Sequence, residues 1–411
     1  MKNFIITNTI WNTAGTAIYF ACQWLITLIV VWIYDDFTNA GLLALAMNIT
    51  NFFFCISSYN IRTFQVSDIK NEYTDNEYII NRYLTCGISL LLCILFIFII
   101  DYTFIQRCII IFYMIFRCNE AYIDVLHGID QKHWRMDFIG ISLIIRGISM
   151  LVIFIIIGKV FDLLPAIIGM AVITLLIGII FDTLKIKKIS VIKKYKLNNI
   201  FHLLKQCFPL MLVILIGTFI VSFSRFSVER IYGAEALGIY ASVITPAVFI
   251  QLTATFLFAP LINIMADCLK NSNLKQFIKV FIYTCIFIFG LTLIAYITVS
   301  FIGEWVLVKL FGEEIRPYAY ILNGAIIISG LTAFVWLMNI AFTTIRDIKG
   351  ILIGNILSMV ICIIITNYFL VKFYLIGANY VMIICLSSTL IYLFIKLYIN
   401  IKINNKGNKH G

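Results

Sequence analysis

The chain has 411 residues, of which 62% are hydrophobic and 12% charged, with a net charge of +11 and a mean hydropathy of +1.01. That balance excludes a water-soluble domain and identifies a membrane protein. The lysines are scattered over short loops, which argues against a nucleic-acid patch.

Apolar runs of about 20 residues, enough to cross about 30 Å of hydrocarbon, recur from end to end. They predict an all-α polytopic protein of about twelve transmembrane helices: 9–33, 40–60, 83–101, 103–126, 137–157, 163–182, 206–228, 237–265, 278–302, 319–342, 350–370 and 374–398. The first run is too long for a signal-peptide core and lacks a small-residue cleavage pattern, so it is read as a retained helix. With the N-terminus in the cytoplasm, inner loops and tails carry 22 of the 31 Lys and Arg, outer loops six, and the spans three, namely Arg107, Arg117 and Arg146. This is the asymmetry of the positive-inside rule, and it places both termini in the cytoplasm.

The expected domains are an N-terminal six-helix bundle (1–185), a basic cytoplasmic linker (186–203), a C-terminal six-helix bundle (204–400) and a cytoplasmic tail (401–411). The cluster KIKKISVIKKYK at 185–196 should rest on the anionic inner leaflet. DDFTNAGLLALAMNITN, between spans one and two, is echoed by YGAEALGIYASVITP between spans seven and eight. Gly41 and Gly238 occupy equivalent places, and Asp68 and Asp267 follow at the inner ends of the hairpins. The repeat predicts two bundles related by a pseudo-two-fold axis along the membrane normal, with substrate held where they meet. Pro209, Pro246 and Pro260 fall within spans seven and eight, where they either kink the helices for hinge motion or are packed around.

Eleven cysteines without a CxxC motif predict neither a disulfide framework nor a zinc site, and the four histidines form no cluster for a metal or a proton relay. No cofactor and no catalytic residue is expected.

The informative segment is YMIFRCNEAYIDV at 113–125 in span four. A charged residue at the bilayer centre costs about 2.5–3.5 kcal/mol, so Arg117, Glu120 and Asp124 facing lipid would cost roughly 8 kcal/mol. They must face protein or water. Tyr113, Arg117, Glu120 and Asp124 form one helical stripe. Ser142, Arg146 and Ser149 share a side of span five, Asn12, Thr16, Tyr19 and Gln23 a side of span one, and Thr218, Ser222, Arg225 and Glu229 a side of span seven. The rise per residue puts Arg117 and Arg146 within about 5 Å of the midplane, with Arg107 in the outer third and Arg225 and Glu229 near the outer mouth. One reading is that Arg117 pairs with Glu120 or Asp124 and simply holds helices together. The other is that two guanidiniums face a common space and bind an anion, for which pyrophosphate suits their planar fork.

NIRTFQVSDIKNEYTDNEYIINRYLT at 60–85 resembles the segment after the second helix of Wzx-type flippases, through Arg62, Gln65, Val66, Ser67, Asp68, Tyr78 and Arg82. EAYIDVLHGIDQKHWRMDFIGISLIIRGI at 120–148 is similar to the same family's fourth-to-fifth helix hairpin, through Asp124, Gly128, Gln131, Arg135, Asp137, Gly140, Ser142 and Arg146. The second half matches mainly in its six-helix rhythm. The resemblance implies a two-bundle protein of the multidrug/oligosaccharidyl-lipid/polysaccharide superfamily in a bacterial inner membrane. It also implies a substrate, the undecaprenyl-pyrophosphate-linked oligosaccharide used for O-antigen or other surface polysaccharide, and contacts with a polysaccharide polymerase and a chain-length regulator.

On this reading Arg117, Arg146, Arg107 and Arg62 would hold pyrophosphate, and Tyr19, Gln23 and Tyr113 would contact sugar. Glu120 and Asp124 would exchange a coupling proton or sodium ion during alternating access, with Arg225 and Glu229 gating the outer mouth. A drug exporter of the same fold is the first alternative, although its sites should be acidic. A membrane polymerase or acyltransferase is the second, and here the spans offer no Ser-His-Asp set and the longest outer segment, 303–318, is short.

Overall fold

A computed structural model describes residues 2–68, 72–189, 195–247, 268, 274–345 and 347–407, and among these every regular element is helical. Outside the described residues lie part of the basic linker (190–194), span eight beyond Ala247 with Pro260 and Asp267, and the end of the tail (408–411).

The first compact unit, Met1–Thr218, contains α1 (Lys2–Tyr34), α2 (Phe37–Ser58), α3 (Ile61–Ser67), α4 (Asp75–Ile99), α5 (Phe104–Lys132), α6 (Met136–Val160) and α7 (Leu163–Ile177). A π-helical segment, Gly178–Thr183, runs into α8 (Leu184–Ile189), and α9 (Leu197–Ile244) follows. The second unit, Phe219–Gly411, takes the rest of α9, then α10 (Leu274–Phe311), α11 (Ile321–Thr344), α12 (Ile348–Phe373) and α13 (Ile376–Gly407). The division thus falls inside α9, downstream of the basic linker where sequence placed it.

Among the described residues, ten helices are long and apolar enough to span a membrane. Helix α5 is not one of them, because Arg107, Arg117, Glu120, Asp124 and Asp130 leave no 18-residue window poor enough in charge. Spans seven and eight enter one continuous helix, α9, broken only at Gly233, whose φ of 85° is left-handed. A left-handed residue also marks the turn between α1 and α2, at Asp35 (φ 51°). Pro209 lies inside α9, and Pro246 lies in the 3-10 turn that ends it.

Local signals explain where the helices begin. The Asp36 carboxylate accepts from the Asn39 amide at the start of α2, and capping boxes start α4 (Thr74 with Glu77) and α5 (Thr103 with Gln106). Helix α6 has no side-chain cap of its own. Asn8 of α1 supplies one: its Oδ1 accepts from the Asp137 amide at 3.1 Å while its Nδ2 donates to the Trp134 carbonyl at 2.9 Å.

That bridge anchors the most extensive packing in the first unit, α1 along α6. The two backbones touch, since a Cβ on Gly140 would lie 2.2 Å from the Trp11 carbonyl oxygen and one on Gly15 would lie 2.4 Å from the Gly140 oxygen. Helix α2 packs on α4 and α5, and α7 packs on α5 and α6.

In the second unit α12 and α13 pair most extensively, joined by Ser358 Oγ donating to the Cys385 carbonyl at 2.7 Å. Tyr240 Oη donates to Asn379 Oδ1 at 2.8 Å, and Asn379 Nδ2 donates to the Ile321 carbonyl at 2.8 Å. Helix α10 exposes Phe289, Ile294 and Phe301, as a lipid-facing helix should.

Gly140→Val must push α1 from α6, at a cost of about 1–3 kcal/mol, whereas Gly290→Ala, with no atom within 4 Å of the added Cβ, should gain about 0.5–1 kcal/mol of helix propensity. Unfolding of both variants in detergent checks this; equal midpoints would contradict the close crossing.

Candidate functional site

The charged stripe of α5 turns inward in the first unit. Arg117 Nη1 donates to Glu120 Oε2 one turn later, in an ion pair whose side chains are 16% and 10% exposed. The Arg117 guanidinium also lies 3.8 Å from the centre of the Phe54 ring on α2. Glu120 Oε1 accepts from Tyr19 Oη and, at 3.4 Å, from Gln23 Nε2, while Gln23 Nε2 also reaches Tyr19 Oη at 3.2 Å. Tyr19 and Gln23 are one turn apart on α1, so the predicted polar side of α1 meets that of α5.

Arg146 on α6 closes this group. It is only 3% exposed and stacks 5.1 Å from the Tyr19 ring centre, next to Gly147, where an added Cβ would lie 3.1 Å from Tyr19 Cα. Electrostatically it feels Asp182, Glu120 and Asp124, but no carboxylate stands within 4 Å of it among the described residues. The Nε atoms of Arg117 and Arg146 are buried without a hydrogen-bond partner there. Glu120 and Tyr19 thus link the two guanidiniums, Arg117 through the ion pair and Arg146 through the ring, and Arg117 makes the pairing that the sequence left open.

One turn further along α5, Asp124 is divided between two arginines. Arg62 Nη1 on α3 donates to its Oδ1 at 3.1 Å, and Arg82 Nη2 on α4 donates to its Oδ2 at 3.2 Å. Arg62 also donates to Gln131 Oε1, at 3.0 Å from Nη2 and 3.3 Å from Nε. Arg82, fully buried, donates in addition to the Ser57 carbonyl at 2.6 Å. Three guanidiniums, those of Arg62, Arg82 and Arg117, thus share two carboxylates, and Arg146 is a fourth, on which Asp182 is the carboxylate that acts most.

In the sequence Arg82 is marked by the resemblance of its segment to the flippases, and Arg82, Thr85 and Ser89 form a polar side of α4 at helical spacing and are all buried. Thr85 donates to Ser57 O at 2.8 Å and Ser89 to Phe53 O at 2.6 Å. Phe54, Asp182, His127 and Asp130 carried no sequence signal of a shared site, since chain separation hides their proximity.

Other expected site residues lie elsewhere. Tyr113 is buried against Phe116 with ring centres 5.4 Å apart. Arg107 covers Phe98 at 5.2 Å and makes no ion pair within 4 Å among the described residues. Arg225 and Glu229 belong to the second unit, where Arg225 is within electrostatic reach of Tyr240 and the buried Glu229 of Arg230.

Removing the carboxylate at 124 strands Arg82, so Asp124→Ala should cost about 3–5 kcal/mol. Asp137→Ala, which breaks the more exposed pair with Arg135 at 2.8 Å, should cost less than about 1 kcal/mol. Reversible unfolding in detergent compares them, and similar losses would contradict the burial argument.

Among curated relatives, the capsular polysaccharide biosynthesis protein CapF of Staphylococcus aureus is 27% identical over 368 residues, covering 87% of this chain and 90% of that protein. Among solved structures, the lipid II flippase MurJ in an inward closed conformation matches with a TM-score of 0.71 at 12% identity, covering 97% of this chain and 88% of that one. The MATE transporter VcmN of Vibrio cholerae matches with a TM-score of 0.67 at 14% identity, covering 98% and 97%. At such identities the two structures establish a shared fold. The sequence profile of the family described as "polysaccharide biosynthesis protein" matches residues 5–268, and the chain therefore belongs to that family.

Proposed function

We propose that this multi-pass membrane protein is a flippase that carries undecaprenyl-pyrophosphate-linked oligosaccharide repeat units from the cytoplasmic to the periplasmic leaflet of a bacterial inner membrane. The observation that carries the proposal is the set of inward arginines on α3 to α6, Arg62, Arg82, Arg117 and Arg146, of which the buried Arg146 has no carboxylate within 4 Å among the described residues. A sugar diphosphate cannot cross hydrocarbon unaided, whereas its polyprenyl tail stays in lipid, so the protein needs only a cationic, hydrogen-bonding path. Similarity to a capsular polysaccharide biosynthesis protein and to a lipid II flippase supports the same substrate class.

Glu120 holds the place of the substrate in this mechanism. An arriving diphosphate displaces its carboxylate from Arg117 and shares Tyr19 and Gln23, and Glu120 then takes up a proton or sodium ion until the phosphate leaves. Arg146 lies beneath Tyr19, so the ring must swing aside before its guanidinium meets the anion. Asp124, already fixed by Arg62 and Arg82, sets the geometry of the path rather than carrying the coupling ion. Alternating access would present this path to each side in turn, and both termini would lie in the cytoplasm. A polymerase and a chain-length regulator would act on the delivered units.

Drug export is the competing reading, because a MATE transporter shares the fold. Arg146, buried with no carboxylate within 4 Å among the described residues, disfavours a cationic drug.

Complementation of a flippase-deficient strain tests the proposal. Arg117→Ala and Arg146→Ala should each cut surface polysaccharide at least tenfold, equivalent to about 1.4 kcal/mol, at unchanged protein level, and Arg117→Lys should restore part of it. Full polysaccharide from both alanine variants would refute the assignment.

A further inference from the structure

At the cytoplasmic end of the first unit a second group of ionisable side chains stands apart from the Arg117–Glu120 pair. Asp182 lies on the π-helical segment and is 2% exposed. Its Oδ2 accepts from Ser142 Oγ on α6 at 2.9 Å, and its Oδ1 lies 3.5 Å from His127 Nε2 on α5. Asp130, one turn beyond His127 on the same side of α5, is 1% exposed. Among the described residues, Asp130 Oδ1 and His127 Nε2 are buried without a hydrogen-bond partner. Single-turn π distortions concentrate at functional sites. This one is held against α5 by Gly178, where a Cβ would lie 2.9 Å from the Ile123 side chain.

Burial penalises the charged form of the Asp130 carboxyl, and the nearby negative charge of Asp182 opposes a second one there. Asp182 and Asp137 oppose ionisation of Asp130, while Lys185 on α8 and Arg135 in the α5–α6 turn favour it. Arg62 and Arg146 act on His127. We propose that Asp130, Asp182 and His127 form a proton-binding site, which holds one exchangeable proton taken from the cytoplasmic side. The site lies beyond span four, and burial pushes the Asp130 carboxyl up to about 7, so the proton exchanges near neutral pH. Asp182 is also the carboxylate that acts most on Arg146.

Infrared difference spectroscopy of the full chain in lipid nanodiscs, titrated from about pH 5 to about pH 9, tests the site through the C=O stretch of a protonated carboxyl. One band should titrate near neutrality, vanish in Asp130→Asn and persist in Glu120→Gln. In Lys185→Ala, whose partly exposed side chain leaves the packed interior intact, the midpoint should rise, because a cation favouring the carboxylate is lost. In Asp182→Asn it should fall. A band lost in Glu120→Gln but kept in Asp130→Asn would assign the proton to Glu120 and overturn the inference while leaving the flippase reading standing. Absence of any titrating band, or a midpoint unmoved in Lys185→Ala, would also overturn it. Replacement of potassium by sodium should leave the midpoint unchanged; a shift would mean that a metal cation occupies the site and would overturn the proton assignment.

Discussion

Asp124, shared between Arg62 and Arg82, is the interaction on which the interior of the first unit depends. Arg82 is wholly buried, and an unpaired guanidinium there would carry a desolvation penalty of several kcal/mol. The carboxylate offsets that cost, and the Ser57 carbonyl satisfies a further donor. In doing so Asp124 ties α3, α4 and α5 together and fixes the rotation of α5 about its axis. Arg117 and Glu120 follow from that rotation, because they share the stripe. Helix α5 can carry this much charge because α2, α3, α4, α6 and α7 pack around it.

The sequence announced much of this architecture. Helical runs, the break between spans seven and eight in YGAEALGIY and the inward stripe of α5 are local properties, set by hydropathy, backbone freedom and a 3.6-residue period. The meeting of Tyr19 and Gln23 with Glu120 was half legible: each polar side was visible, but not which neighbour it faced. That choice is made by the Gly15–Gly140 crossing, where two helices approach closely only because neither carries a side chain at the contact. Asp182 and His127 were illegible as a pair, since 55 positions of chain separate them and only the π-helical segment turns Asp182 toward α5. Arg82 was hidden by its position at the rim of a predicted span, although the spacing of Thr85 and Ser89 marked its side of the helix.

The two pictures of Arg117, structural brace and anion ligand, are reconciled by the chemistry of Glu120. An ion pair in a membrane interior keeps a guanidinium tolerable while the site is empty. In the proposed mechanism the same pair would be exchanged for a diphosphate, which offers more acceptor oxygens to the same donors. Tyr19 then has two tasks, donating to Glu120 and covering Arg146. A site of this kind prefers anions, which distinguishes the proposed substrate from the cations expected of a drug exporter with the same fold.

The most direct measurement is translocation by the purified protein in liposomes. A fluorescent oligosaccharide linked through diphosphate to a polyprenyl chain is placed in one leaflet, and its exposure on the other is followed with a membrane-impermeant quencher. The account predicts exchange well above that of protein-free vesicles, which falls in Arg117→Ala and Arg146→Ala. Exchange at the protein-free rate, together with uptake of a fluorescent organic cation, would contradict it.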